Sequence, residues 1–284
     1  MIVLCNESLT VTISTLGAEI QSVLDQNQIE RIWHGDPVYW EGRAPVLFPV
    51  AGRLKEGFYF LEGHQYALPQ HGFARKREFA VECAKSDAAT FLLSGDAGKD
   101  PGFPFQYAFR VRYALLGNAV RVEYQADNLD SRAFWYGVGA HEAYACPEGI
   151  EAYAVEFDRE EKLTRRILAD GLLTGETALV RERCGILPIE PSLFANDTQI
   201  YASLVSRGIT LKSSSHQRSV RVDFADFDYL LLWTKPGAGF LCIEPWTNLP
   251  DTVDSDQDIT KKPGMTRLLP GETRTHTHTI TFIG

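Results

Sequence analysis

The 284-residue sequence predicts an all-β fold, organised as one large antiparallel β-sandwich with few short helices and a single domain over residues 1–284. Three observations support this prediction. Apolar residues mostly recur with a period of two, helical signals are weak, and strand-favouring aromatic residues are plentiful, with 16 Phe, 11 Tyr and 5 Trp. No linker or internal repeat interrupts the pattern, so one large domain accounts for the length.

The clearest pair of strands flanks a Gly-Asn turn. Residues 109–115 alternate apolar residues with arginines, and residues 120–126 repeat the scheme after Gly117 and Asn118. This spacing predicts a β-hairpin. Further alternating runs lie at residues 9–14, 220–224 and 275–282. The weak helical signals predict a short polar helix over residues 159–168 and one helical turn at residues 193–196.

Composition excludes several classes of function. With 28 basic and 37 acidic side chains the net charge is −9, which repels phosphate backbones and anionic membranes, so neither nucleic acid nor membrane is an expected partner. The longest strongly apolar stretch, residues 229–233, is far shorter than the roughly 20 residues that span a bilayer. No targeting segment is visible, and the five widely spaced cysteines suit reduced thiols, so we expect a cytoplasmic protein.

Glu244 is the first candidate functional residue. It follows residues 239–243, an apolar run that reads as a buried strand, and a carboxylate there is costly unless it is paired or functional. Pro245 cannot continue a hydrogen-bonded ladder, so we expect the strand to end at Glu244. The structural alternative is a carboxylate that pairs with Arg53 or another base.

Two histidines and two arginines lie in segments rich in small residues. His141 follows residues 137–140, Gly-Val-Gly-Ala, which permit a tight bend or a close approach of a ligand. His71 precedes Gly72, and each histidine is either a hydrogen-bonded structural residue or an acid–base group. Arg53 and Arg75 follow short turns, where a guanidinium is either solvated or binds hydroxyls, carboxylates or phosphate.

Other patterns in the sequence give weaker indications of a functional site. His276 and His278 lie on one face of a strand, but no third ligand accompanies them, so we expect no metal site. The acidic residues Asp251, Asp254, Asp256 and Asp258 are expected to form a solvated loop, since their spacing does not match an EF-hand. No dinucleotide-binding, P-loop or serine-hydrolase motif is present, and no cofactor is expected.

Six stretches occur in the order found in one enzyme family: residues 16–20, 33–40, 44–54, 68–75, 137–144 and 240–246. Together they resemble the aldose 1-epimerase (galactose mutarotase-like) family, in particular its LacX-like branch, over nearly the whole chain. The resemblance implies a large β-sandwich whose concave face binds a monosaccharide, without metal or cofactor. The chain departs from typical galactose mutarotases at Gly52, where they have Asn, and at residues 142–144, Glu-Ala-Tyr, where they have a Pro-Tyr-Phe-type run.

The resemblance also implies roles for individual residues. Glu244 matches the general base and His141 the general acid, while Arg53 and His71 match residues that hold sugar oxygens. Asp197 occupies the approximate place of a substrate-binding aspartate. Trp40 and Trp246 either lie against the apolar face of the sugar or pack as core or lid residues.

This set of residue types suits opening of a pyranose ring. A base takes the proton of the anomeric hydroxyl, an acid protonates the ring oxygen, and closure on the other face inverts the anomeric carbon. We expect Glu244 to be ionised at neutral pH and His141 to titrate near neutrality.

The sequence leaves alternatives open. A hexose-6-phosphate 1-epimerase would use Arg75 as a phosphate ligand. A glycosidase would need a second carboxylate, such as Asp226 or Asp228, opposite Glu244. A non-catalytic sugar-binding or sensing module is the alternative outside enzymes, and the protein is expected to be a monomer or a homodimer.

Overall fold

The computed structural model describes residues 1–96, 98–195 and 197–284, and strands dominate it. The first ten strands are β1 (Ile2–Cys5), β2 (Leu9–Ile13), β3 (Ile20–Asp25), β4 (Phe58–Leu61), β5 (His64–Ala67), β6 (Ala80–Ala84), β7 (Ala88–Gly95), β8 (Tyr107–Leu116), β9 (Ala119–Asn128) and β10 (Phe134–Tyr136). The next ten are β11 (Glu142–Ala145), β12 (Tyr153–Ala169), β13 (Leu172–Pro188), β14 (Gln199–Ala202), β15 (Gly208–Ser213), β16 (Ser219–Asp223), β17 (Tyr229–Trp233), β18 (Phe240–Trp246), β19 (Thr266–Leu268) and β20 (Thr273–Ile283). Short 3₁₀ helices lie at Lys55–Gly57, Ala74–Lys76, Ile150–Ala152 and Pro191–Phe194.

The strands form one large antiparallel sheet and three small ones. The 13-stranded sheet has the order β11-β18-β17-β14-β12-β15-β16-β20-β9-β8-β7-β6, with β13 paired to β12. The small sheets are β1-β2-β3, β4-β5 and β10-β19. The predicted all-β, antiparallel architecture is therefore confirmed. None of the helices in the described ranges is long and apolar enough to cross a membrane.

A continuous apolar core lies between the layers, and aromatic rings contribute much of it. Phe48 stacks on Phe109 with ring centroids 4.0 Å apart, and Phe103 and Tyr107 also pack against Phe48. The predicted hairpin is β8 and β9 joined at Gly117-Asn118, where Gly117 has φ +61°. This core fixes the segment that leads from Phe48 to Arg53.

One segment differs from its predicted structure. Residues 159–168 belong to strand β12 rather than to a helix. Their period of two was hidden because Glu161 points inward, where its carboxylate accepts the backbone N–H groups of Val205 and Ser206 at 3.1 and 2.6 Å. The predicted turn at residues 193–196 is found as the 3₁₀ helix Pro191–Phe194, while Asn196 lies outside the described residues.

Strand β18 also does not end at Glu244 as expected. It continues to Trp246, and Pro245 pairs with Leu230 of β17. Proline is tolerated here because regular pairing with β11 has ended at Ile243, and the Pro245 carbonyl accepts the N–H of Ala140 at 3.0 Å. The extra pairing holds the backbone of Glu244 from both sides.

The acidic loop is only partly solvated. Asp254 and Asp256 are exposed as expected, but Asp251 is buried and pairs with Lys262 at 2.6 Å. Its second carboxylate oxygen accepts the N–H of Lys55 at 2.9 Å. Asp251 therefore ties this loop to the segment that follows Arg53.

Candidate active site

Strand β18 places Glu244 in the wall of a cavity. The strand lies between β11 and β17, all seven of its residues are buried, and Glu244 stands opposite Leu231. Because side chains alternate along a strand, Glu244 and Trp246 share one face, and both line the cavity together with Leu231. The cavity has a volume of about 490 Å³, which is in the size range of small-molecule sites.

His141 reaches the same cavity from the segment that leads into β11. Its neighbour Ala140 makes two hydrogen bonds: its N–H donates to the Pro245 carbonyl, and its carbonyl accepts the indole N–H of Trp246, each at 3.0 Å. The Trp246 ring fits only because residue 139 is glycine: a Cβ there would lie 2.6 Å from the ring. This packing leaves Nε2 of His141 3.4 Å from Oε2 of Glu244.

Burial changes the expected protonation of this pair. Burial, with a smaller contribution from the charge of nearby Arg75, lowers the pKa of His141 to about 3. Burial also raises the pKa of Glu244 well above 4.5, and the negative charges of Glu142 and Asp197 act in the same direction. The expectation of an ionised Glu244 beside a histidine that titrates near neutrality therefore does not fit the buried geometry. Burial favours a pair that holds one proton on Glu244.

His71 lies beside His141 with a fixed orientation. Its backbone N–H donates to the Gly52 carbonyl at 2.8 Å, and its Nδ1 accepts the Gly52 N–H at 3.1 Å. Burial lowers the pKa of His71 well below 6.5, so the ring is neutral. Because Nδ1 accepts, the ring proton is on Nε2, which makes His71 a hydrogen-bond donor.

The two predicted arginines line different parts of the cavity. Arg53 is exposed, and its Nη1 donates at 2.8 Å to the carbonyl of Asp170, at the tip of the β12–β13 hairpin. Arg75 is half-buried and donates from Nη2 to the Gln70 carbonyl at 3.1 Å. Within the described part of the chain, its buried Nε has no hydrogen-bond partner.

The remaining predicted residues also line this cavity. Asp197 is exposed and has φ +75°, and its carboxylate accepts from the N–H and hydroxyl of Thr198 at 2.8 and 3.0 Å. Trp40 stacks on the His141 ring at 5.1 Å, and Trp246 packs edge-on against His71 at 5.3 Å. The structure thus brings all eight predicted residues around one cavity.

Several lining residues were not found from the sequence. They include Gln70, Trp233, Thr234 and Lys235, and Leu168 and Gly171 near the hairpin tip. Lys235 lies two residues after the apolar run 229–233, so a cation just beyond the end of a strand was an available signal. The hairpin had no such signal, because its first strand was predicted as a helix. Neither Asp226 nor Asp228 is among the lining residues, so the carboxylate pair considered for a glycosidase does not form.

Possible metal ligands occur at two places. Nε2 of His278 pairs with Glu142 at 3.1 Å, and Nε2 of His276 lies 3.0 Å from the Tyr136 hydroxyl, so both histidines have protein partners. His141, Cys242 and Glu244 offer potential ligand atoms within 4.8 Å of one another. Burial raises the pKa of Cys242 well above 9, so this thiol keeps its proton at neutral pH and the group fits a metal poorly.

The fold and the cavity define a β-sandwich with an imidazole and a carboxyl group side by side in a pocket of small-molecule size. The family model described as Aldose 1-epimerase matches residues 1–281, and the chain belongs to this family. It is 33% identical to the plasmid-encoded protein LacX of Lactococcus lactis subsp. lactis, over 98% of each chain.

Solved structures agree with this assignment. A galactose mutarotase related enzyme from Lactobacillus acidophilus is 30% identical, with a TM-score of 0.94 over 99% of this chain and 97% of its own. A galactose mutarotase-like protein from Lactobacillus casei is 28% identical, with a TM-score of 0.93 over the full length of both chains. Family and structural likeness together support a mutarotase-type function on a monosaccharide.

Proposed function

We propose that the protein is an aldose 1-epimerase that interconverts the α and β anomers of a hexose by acid–base opening and closure of the ring. The observation that carries this proposal is the 3.4 Å separation of Nε2 of His141 and Oε2 of Glu244 in the cavity wall. The anomeric hydroxyl and the ring oxygen are bonded to the same carbon. A base and an acid that serve these two oxygens must therefore be neighbours, as this pair is.

The proposed reaction needs one proton on the pair. Glu244 takes the proton of the anomeric hydroxyl while His141 protonates the ring oxygen, and the C1–O5 bond breaks to give the open-chain aldehyde. Rotation about C1–C2 presents the other face of the carbonyl, and closure returns both protons. At rest burial favours this proton on Glu244, so it must pass to Nε2 of His141, 3.4 Å away, before the ring opens, and closure regenerates ionised Glu244 and protonated His141.

Neighbouring donors suit the charge that develops on oxygen. Nε2–H of His71 and the guanidinium of Arg75 border the acid–base pair in the same cavity. Fixed donors stabilise such charge better than water does, since they need no reorientation during the reaction. Arg53 at the cavity mouth is proposed to bind a sugar hydroxyl.

A second candidate is an epimerase for hexose 6-phosphates. Lys235 joins Arg53 and Arg75 around the cavity, so three cationic side chains surround the space where a substrate would lie. An anionic phosphate would be favoured by these charges. The unphosphorylated hexose remains our first proposal, and the substrate panel below separates the two.

Relaxation of freshly dissolved sugars tests the function directly. We expect the purified protein to accelerate relaxation of α-D-glucose or α-D-galactose in polarimetry, above the spontaneous rate. NMR on glucose 6-phosphate tests the second candidate, and a clear preference for it would replace the first. If none of the three sugars relaxes faster, the enzyme proposal fails and a sugar-binding module takes its place.

Replacement of Arg53 tests the proposed contact at the cavity mouth. A hydrogen bond from a charged group contributes about 1.5–3 kcal/mol, so Arg53→Met is expected to lower kcat/KM roughly 10–100-fold. The matched control is Arg183→Met on β13, whose exposed side chain pairs with Glu160 and does not line the cavity. Equal kcat/KM values for the two variants would remove Arg53 from substrate binding.

A further inference from the structure

Trp40 is held in place by a loop that is ordered by its own hydrogen bonds. The carbonyl of Asp36 accepts the N–H groups of Trp40 and Tyr39 at 2.8 and 3.0 Å. The indole N–H of Trp33 donates to the Trp40 carbonyl at 2.7 Å. A Cβ at Gly42 would lie 2.6 Å from the Trp40 ring, so glycine there lets the ring fold back over its own loop.

The Trp40 ring covers His141 rather than open space. The two rings stack with centroids 5.1 Å apart and an angle of 30° between their planes. Trp233 and Phe240 pack against Trp40 at 5.3 and 5.6 Å, which fixes the indole on its other sides. Trp233 and His71 contact His141 edge-on, both at 5.7 Å, so three rings pack on the imidazole while its Nε2 lies 3.4 Å from Glu244.

We propose that Trp40 is a positioning residue for His141: its indole keeps water from one face of the imidazole and fixes the ring plane so that Nε2 points towards Glu244. This role rests on the proposed function, in which His141 transfers a proton. Of the two roles expected for Trp40, it favours packing over contact with the sugar, because one face of the indole is occupied by His141.

The Trp40 ring is an uncharged part of the surroundings of His141, which also contain several ionisable groups. Glu244 and Cys242 face His141 from β18, and His71 and Arg75 face it from the segment that precedes Arg77. Asp197 and Lys235 line the same cavity, and Glu142 lies behind the pair. Trp40→Ala removes no ionisable group from these surroundings, so it tests how the indole covers and orients the imidazole.

Loss of the indole is expected to raise the pKa of His141. Burial is the largest cause of the lowered pKa of His141, so water at the exposed face should raise this pKa towards 6.5. In the wild type the ring should not titrate between roughly pH 5 and 8. In Trp40→Ala it should titrate inside this range, whereas Trp40→Phe keeps an aromatic cover and should behave like the wild type.

Histidine NMR without substrate makes the decisive measurement, with the His141 signals assigned from His141→Asn. The control is Trp135→Ala, which removes a half-buried tryptophan that lies against Arg267 outside the cavity. A folded Trp40→Ala protein whose His141 still does not titrate would overturn the proposal. If that variant unfolds, Trp40→Leu, whose smaller side chain leaves part of the imidazole face uncovered, must show an upward shift or the proposal fails.

Kinetics distinguish this proposal from the proposed function. In an active wild type, Trp40→Ala should lower kcat about tenfold or more and Trp40→Phe should restore most of it, because proton transfer depends on the orientation of the ring. A change in KM alone, with kcat and the NMR titration unchanged, would mean that Trp40 stacks on sugar. An inactive wild type would reject the proposed function, while the titration would still decide whether Trp40 shields His141.

Discussion

Glu244→Gln is expected to lower kcat by about 10²–10⁴-fold, the usual contribution of one positioned proton transfer. Glutamine has nearly the same shape as glutamate and can still lie in the tight wall formed by β17 and β18. It cannot take the anomeric proton, and it carries no proton for the exchange with His141. The loss should therefore appear in kcat for every sugar that the wild type accepts, as measured by polarimetry above the spontaneous rate.

The same substitution should not destabilise the fold. The pKa of Glu244 is raised in the folded state, so the folded protein binds more protons than the unfolded chain above pH 4.5, and stability falls as the pH rises through this range. Glutamine does not ionise and avoids that cost. Thermal unfolding at pH 7 should therefore give Glu244→Gln a Tm at or above that of the wild type.

Glu161→Gln is the matched control, because Glu161 is another buried glutamate but lies outside the cavity. Its two oxygens accept from Val205 and Ser206, and glutamine can satisfy only one of these N–H groups. We expect about 1–3 kcal/mol lower stability with near-normal kcat. An active Glu244→Gln protein, or equal loss of kcat in both variants, would remove Glu244 from the role of base.

Much of the fold could be read from the sequence, because a strand with one buried face alternates its residues. The β8–β9 hairpin follows this rule and has a turn that permits positive φ at Gly117. Strand β12 breaks the rule, since its inward Glu161 is stabilised by a loop more than 40 residues away in sequence. No local pattern reports such a partner.

The cavity residues could likewise be predicted from the sequence only in part. Glu244 and His141 stood out because polar residues followed apolar or glycine-rich segments. The protonation of the pair could not be predicted, because it depends on burial by segments far apart in the chain. Likewise the partner of Trp40 is set by tertiary packing: residue 40 meets residue 141 only when the loop after Trp33 folds over β18.

Gly72→Ala is expected to cause a large loss of stability. Gly72 has φ +68° and forms a bridge with Phe48. A Cβ at this position would lie 2.1 Å from the Phe48 carbonyl oxygen, which already accepts the N–H groups of Phe73 and Ala74. The clash is with backbone, so it cannot be relieved by rotation of a side chain.

Positive φ alone costs alanine about 1–2 kcal/mol, and Gly117→Ala isolates this term, since Gly117 has φ +61° and no atom within 4 Å of the added Cβ. Gly72→Ala should cost about 3 kcal/mol or more, because the segment carrying His71 and Arg75 must also move away from Phe48. Thermal unfolding should show the larger Tm drop for Gly72→Ala, and its kcat/KM should fall while that of Gly117→Ala stays normal. Similar Tm values for the two variants would mean that the backbone at Phe48 yields easily, and His71 would then not owe its position to this contact.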